Sequence, residues 1–181
     1  MSAQTPTHPA LSKVLLDENT IKARIRELGA QITSDYAGRR LMVVGVLKGS
    51  VIFLADLLRT LGAELDVEVD FVAVSSYAGK NSTGAVRTLL DLRADPEGKD
   101  LLLVEDIVDT GLTLASLTET LRAHRPNSLE VCTLLDKPDC RKIPIQPKYV
   151  GFRIPNEFVI GYGLDYDERY RQLPVVGVMR T

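Results

Sequence analysis

The chain has 181 residues, 45% of them hydrophobic and 25% charged, with a formal net charge of −2. That is length and apolar content for one domain with a packed core, and it excludes a chain too polar to fold. No basic excess exists to draw a nucleic-acid backbone, so any phosphate chemistry must use local positive charge.

Met1 to Ala10 are rich in Ser, Thr and Pro and lack the charged start and apolar stretch of a signal peptide. Residues 1–11 read as a flexible tail, loose to about residue 12. No run approaches the roughly 18 apolar residues of a membrane span. Cys132 sits in an apolar run and Cys140 in a polar turn, without metal-ligand or CxxC spacing. Cys132 reads as core and Cys140 as a free thiol, both readings suit a reducing compartment, and the expected location is cytoplasmic.

Asn19 or Thr20 reads as a helix cap, and Ile21, Ile25, Leu28 and Ile32 then share one helical face through about Tyr36. Leu41 to Val46 is wholly apolar, the mark of a strand buried on both sides, and it ends at Lys48-Gly49-Ser50. A helical pattern covers Val51 to Leu61. Asp66 to Tyr77 reads as a strand and Ala78 to Gly84 as a small polar loop, with Val86 to Leu92 as the other arm of a hairpin. Leu101 to Glu105 is another buried strand, followed by a turn and a helix from Thr113 to about His124. Leu129 to Leu135 adds a strand. After a Pro-rich stretch, 138–147, strand-like pieces follow at 149–152, 158–162 and 175–179. Buried strands alternating with amphipathic helices predict an α/β fold, one domain over 1–181, with a mainly parallel sheet. In such sheets ligands bind beyond the carboxyl ends of the strands. The polar clusters stand there: Lys48-Gly49, Glu105 through Thr113, and Asp136-Lys137.

The informative segment is Val104-Glu105-Asp106-Ile107-Val108-Asp109-Thr110-Gly111-Leu112-Thr113. An apolar strand ends in two carboxylates; a third follows, and then a Thr-Gly-x-Thr turn opens a helix. Backbone N–H groups at a helix start bind phosphate, and glycine permits close approach. Carboxylates beside a phosphate make sense if they face ribose hydroxyls or a metal ion. Taken singly, Asp106 and Asp109 read as turn caps and Thr113 as a helix start. Taken together, the string describes a ribose 5-phosphate site.

This string resembles the phosphoribosyl-diphosphate-binding motif of type I phosphoribosyltransferases, and more closely that of their hypoxanthine (hypoxanthine-guanine) branch. The resemblance spans about residues 12–179. It includes Leu47-Lys48-Gly49, Ser75-Ser76-Tyr77, Leu134 to Lys137, and Val150 to Asp165 with Arg171 beyond. It implies the type I fold, with a small hood built from the C-terminal segment and N-terminal residues. It implies phosphoribosyl transfer to hypoxanthine or guanine, giving IMP or GMP and diphosphate, with Mg²⁺ as cofactor and a homodimer or homotetramer as the assembly.

The resemblance also distributes roles. Glu105 and Asp106 face the ribose hydroxyls or the metal, and Asp109 to Thr113, including Thr110, Gly111 and Leu112, hold the 5-phosphate. Asp109 is the general base. Lys48, Gly49 and Arg171 hold diphosphate, and Asp165 joins the metal site. Lys137 donates to the purine 6-oxo group, Phe158 stacks on the ring, and Val159 offers backbone atoms. Ser76 and Tyr77 begin a mobile lid over 77–84. Without the resemblance, Lys48 and Lys137 read as solvated lysines, Phe158 as core, and Asp167 and Glu168 as a solvated turn. Leu112, where some relatives carry lysine, should point outward.

Four rivals follow from the same residues. A relative specific for another base such as xanthine differs only in rates. A regulator keeping this fold but binding RNA is disfavoured by the acidic balance. Dinucleotide and P-loop enzymes lack their glycine signatures here.

Overall fold

The computed structural model describes residues 8–76 and 86–180, of which 75, 76 and 86–88 are described by their backbone alone. Strands β2 (Arg40–Leu47), β3 (Asp66–Ser76), β4 (Val86–Leu90), β5 (Asp100–Val108), β6 (Ser128–Asp136) and β7 (Tyr149–Arg153) form a six-stranded sheet. Its order is β4-β3-β2-β5-β6-β7. All pairs are parallel except the edge strand β4, which returns antiparallel to β3. Helices α1 (Glu18–Asp35) and α2 (Val51–Leu58) cover one face, and α3 (Leu112–Ala123) covers the other. In β2, Leu41 and Val43 enter the α1/α2 core while Met42, Val44 and Val46 enter the α3 core. β5 divides the same way, Leu102 and Val104 against Leu101 and Leu103. A strand covered on both sides must be apolar at every position, which is why both read as unbroken apolar runs.

A second, three-stranded sheet is the hood. It pairs β1 (Leu11–Leu16) with β9 (Val176–Met179), and β9 with β8 (Val159–Ile160), all antiparallel. This corrects the reading of the chain as loose to residue 12 where it covers residues 8–12; residues 1–7 lie outside the described residues. Leu11 is buried and begins β1, and His8 lies edge-on to Tyr170 at 5.6 Å. Register shifts in the β1–β9 pairing break the period-2 pattern by which strands are recognised.

Two boundaries also move. The α1 cap is Asp17, not Asn19 or Thr20; its Oδ1 accepts the Thr20 N–H at 2.8 Å. Helix α2 ends at Leu58 rather than Leu61, because the Thr60 hydroxyl donates to the Leu57 carbonyl at 2.7 Å and closes the turn there. Both cysteines are free, as expected.

Asp70 fastens the far edge of the sheet. Its carboxylate accepts N–H groups of Phe71, Arg93 and Ala94 at 2.8, 2.7 and 3.0 Å. Burial disfavours its charge, but these three donors outweigh burial and hold the carboxyl below its ordinary 3.8. Asp70→Ala should therefore cost about 2–3 kcal/mol, by leaving three donors unpaired. A depressed carboxyl stabilises the fold above its ordinary value and loses that contribution as pH falls through the folded value. Thermal melts across pH should show the variant missing part of the wild-type loss on acidification.

Candidate functional site

The carboxyl ends of β2, β3 and β5 and the segment between β8 and β9 converge on two adjoining clefts. One is lined by Asp109, Thr110, Gly111 and Thr113, the other by Lys48, Gly49, Asp106, Asp165 and Arg171; Glu105 and Thr113 line both. The sequence-predicted ribose, phosphate, diphosphate and metal residues are thus assembled from three separate segments, 48–49, 105–113 and 165–171.

The first cleft is the turn that opens α3. Gly111 takes a left-handed conformation, φ +84°, immediately before the helix. The first N–H groups of a helix have no partner within it, so this turn presents backbone donors and the positive end of the helix dipole to one small volume. The Thr110 and Thr113 side chains stand beside them, and Leu112 is partly exposed as expected.

Glu105 and Asp106 separate the clefts. Glu105 Oε2 is buried without a hydrogen-bond partner. Burial, reinforced by the adjacent Asp106 charge, pushes the Glu105 carboxyl well above its ordinary value. Burial likewise raises Asp106 to about 6, against the Ile107 N–H it accepts at 2.8 Å. Such a pair is relieved by a cation or by hydroxyl donors. Among the described residues no three His, Cys, Asp or Glu gather as a ready metal cage. Mg²⁺ suits that arrangement, since it is held by one or two carboxylates and takes its other ligands from substrate phosphates and water. The orphaned oxygen therefore fits the metal that the sequence implies.

On the diphosphate side, the Leu47–Lys48 peptide is cis. Gly49 is required by close approach: a Cβ there would lie 1.7 Å from Asp106 Oδ2. Arg171 pairs with Asp165 at 2.9 Å and donates to the Gly163 carbonyl at 2.8 Å. Glu168 Oε2 sits between the two cations, 3.0 Å from Lys48 Nζ and 3.3 Å from Arg171. Glu168 is thus exposed in a turn, as read, but its carboxylate pairs with both cations, which the sequence reading did not foresee.

On the purine side two residue readings change. Lys137 is no surface lysine: it is 6% exposed, with Nζ 3.6 Å from Asp109 Oδ2. Phe158 is not core: it is 55% exposed, one residue before β8, and edge-on to Tyr166 at 5.8 Å. Val159 is buried in the hood, paired with Val178. Among the described residues no hydrogen bond or ion pair joins Phe158 or Val159 to Lys137. Ser76 ends β3, its side chain outside the described set; Tyr77 and the lid over 77–84 lie outside it altogether. Arg141, in the Pro-rich connection, was also missed and reaches the phosphate turn from behind.

A family model described as a phosphoribosyl transferase domain matches residues 12–167. A hypoxanthine-guanine phosphoribosyltransferase of Staphylococcus epidermidis is 53% identical over 175 residues, covering 96% of this chain and 97% of that one. The crystal structure of a hypoxanthine phosphoribosyltransferase from Staphylococcus aureus superposes with a TM-score of 0.91 at 50% identity, covering 96% of this chain and 94% of that one. A mutant of the Trypanosoma cruzi hypoxanthine phosphoribosyltransferase, complexed with the product IMP, does so with a TM-score of 0.91 at 44% identity, covering 97% and 94%.

Proposed function

The chain belongs to the phosphoribosyltransferase family, and from that premise we propose which of its residues carry out the transfer. It is a purine-salvage enzyme that moves the 5-phosphoribosyl group of phosphoribosyl diphosphate to hypoxanthine or guanine, giving IMP or GMP and diphosphate. The observation that carries the assignment of roles is the meeting of the two clefts at Glu105: a backbone turn on one side, and on the other a cleft that brings Lys48 and Arg171 together with the carboxylates of Asp106 and Asp165.

In this reading the turn from Asp109 to Thr113 binds the 5-phosphate. Glu105 and Asp106 accept the ribose hydroxyls, and Lys48, Gly49 and Arg171 hold the departing diphosphate. Mg²⁺, held by Glu105, Asp106 or Asp165 together with substrate oxygens, would neutralise charge on the diphosphate. Cleavage at the anomeric carbon develops positive charge on the ribose, as in glycosyl transfer. Most of the acceleration then comes from positioning and from neutralising the leaving group.

The base is gripped along one edge. Purine N7 and the 6-oxo oxygen are neighbours on that edge. The Asp109 carboxylate and the Lys137 ammonium are neighbours too, 3.6 Å apart. Asp109 takes the N7 proton as N9 attacks, and Lys137 donates to the 6-oxo oxygen. Adenine offers an amino group there and cannot accept that bond, so it is rejected. Phe158, exposed on the hood, supplies the stacking face, and Val159 supplies backbone atoms.

The whole chain acts as a single domain, in the cytoplasm, as a homodimer or homotetramer. Among the described residues no helix is long and apolar enough to cross a membrane. A spectrophotometric assay with phosphoribosyl diphosphate, Mg²⁺ and each of hypoxanthine, guanine, xanthine and adenine tests the reading. Turnover of hypoxanthine or guanine, abolished by a chelator, is the expected result. Preferred turnover of xanthine would reassign the base, and metal-independent turnover would remove the role of the carboxylates.

A further inference from the structure

The Pro-rich connection after β6 does more than join strands. From Arg141 to Ile145 it lies against the back of the phosphate turn. The Lys142 and Ile143 N–H groups donate to the Thr110 carbonyl at 2.9 and 3.4 Å. The Arg141 guanidinium donates to the Asp109 carbonyl at 2.6 Å through one nitrogen, and through the other it pairs with the Asp136 carboxylate. Asp136 is buried and Arg141 nearly so, with side chains 7% and 14% exposed. Both carbonyls of the turn, at Asp109 and Thr110, are therefore bonded from behind.

A peptide whose carbonyl is held on one side turns the following N–H to the other. Tying down the Asp109 and Thr110 carbonyls aims the N–H groups of Thr110 and Gly111 away from the connection. We infer that Arg141 is the positioning residue of the phosphate turn: anchored on Asp136, it fixes the turn in its anion-binding conformation and seats Asp109 for its work on the base. The inference rests on the reading of residues 109–113 as the 5-phosphate site. Arg141 touches no substrate in it. A planar guanidinium with donors on separate nitrogens can span a carboxylate and a carbonyl at once, whereas lysine presents a point charge.

A neighbouring cavity supplies the test. A hollow of about 340 Å³, lined by Arg141, Asp136, Ile145, Gln146, Val150 and Arg153, opens beside the guanidinium. Free guanidinium can therefore reach the space that truncation of Arg141 would leave. Binding of ribose 5-phosphate to wild type, R141A and R141K should be measured by calorimetry, with and without guanidinium chloride at non-denaturing concentration, alongside KM for each substrate. R141A should weaken ribose 5-phosphate about tenfold or more and raise KM for phosphoribosyl diphosphate in step, while KM for the purine moves less than about threefold. Guanidinium should restore binding in R141A but not in R141K, whose ammonium blocks the space.

Equal binding by R141A and wild type, or equal loss at both substrates without rescue, overturns the inference. If R141A does not fold, R141K decides alone: an unchanged ribose 5-phosphate constant there overturns it. A wild type that binds ribose 5-phosphate yet turns over no purine would instead sink the functional reading, and the ratio between variant and wild type would still judge Arg141.

Discussion

Asp109→Asn should lower the chemical rate by about 10²–10⁴-fold, the usual worth of general acid–base assistance, with little change in affinity for phosphoribosyl diphosphate. The separation of the two effects follows from how the residue is built into the turn. In the proposed reading its main chain serves the phosphate site, and its carbonyl is held by Arg141 at 2.6 Å. Its side chain, proposed to meet the purine edge, lies 3.6 Å from Lys137 Nζ. Asparagine keeps the size, the turn and an oxygen for the buried ammonium, and it removes only the ability to take a proton. Single-turnover rates at saturating substrates are the proper measure, because product release sets kcat in many enzymes and would mask a slower chemical step. An unchanged single-turnover rate would sink the assignment of Asp109 as base.

Glu105→Gln should make the protein more stable and a poorer enzyme. The wild-type carboxylate is buried with Oε2 unpaired and has Asp106 as its neighbour. The amide removes the buried like charge and offers N–H donors to Asp106. A gain of about 1–3 kcal/mol is expected, or about 2–4 °C in Tm for each kcal/mol in a chain of this size.

The pH dependence has a definite sign. Burial raises the Glu105 carboxyl above its ordinary 4.5, so the folded protein holds a proton that the unfolded chain gives up. Stability from this group falls as pH rises from the ordinary value toward the raised one. The advantage of the glutamine variant should accordingly be small near pH 4 and grow toward neutrality. Activity should fall about tenfold or more, since a carboxylate that accepts ribose hydroxyls or metal is lost. Melting curves from pH 4 to 8 read the first effect and steady-state rates the second. A variant less stable than wild type at neutral pH would show that the unpaired carboxylate is not a cost, and the functional reading of its orphaned oxygen would go with it.

Legibility in the sequence followed how local each signal was. β2, β5 and β6 could be read directly because burial on both faces leaves unbroken apolar runs. The segment from Glu105 to Thr113 could be read because strand, turn and helix start are consecutive, so the chemistry is written in ten neighbouring residues. Lys137 could not be seen as buried from its own neighbours, since its cover comes from elsewhere in the chain. Arg141 was passed over because its work is done on the Asp109 carbonyl, 32 positions away, and no spacing rule connects the two. Glu168 looked like any charged residue in a turn until Lys48, 120 residues earlier, was placed against it. The β1 strand suffered twice, from bulges that break its alternation and from a partner at the other end of the chain.

That last pairing sets an order of events during synthesis. Leu11 meets Met179, and the Arg180 N–H donates back to the Ala10 carbonyl at 2.8 Å, so the hood is closed by residues about 169 positions apart. The central strands from Arg40 to Asp136 can collapse while the ribosome is still working, but β1 must wait for β9. At about 5–20 residues per second that wait is roughly ten to thirty seconds. Asp165 and Arg171 lie in the segment that the hood holds. In the proposed reading a nascent chain can thus own a finished phosphate turn while it still has no grip on diphosphate.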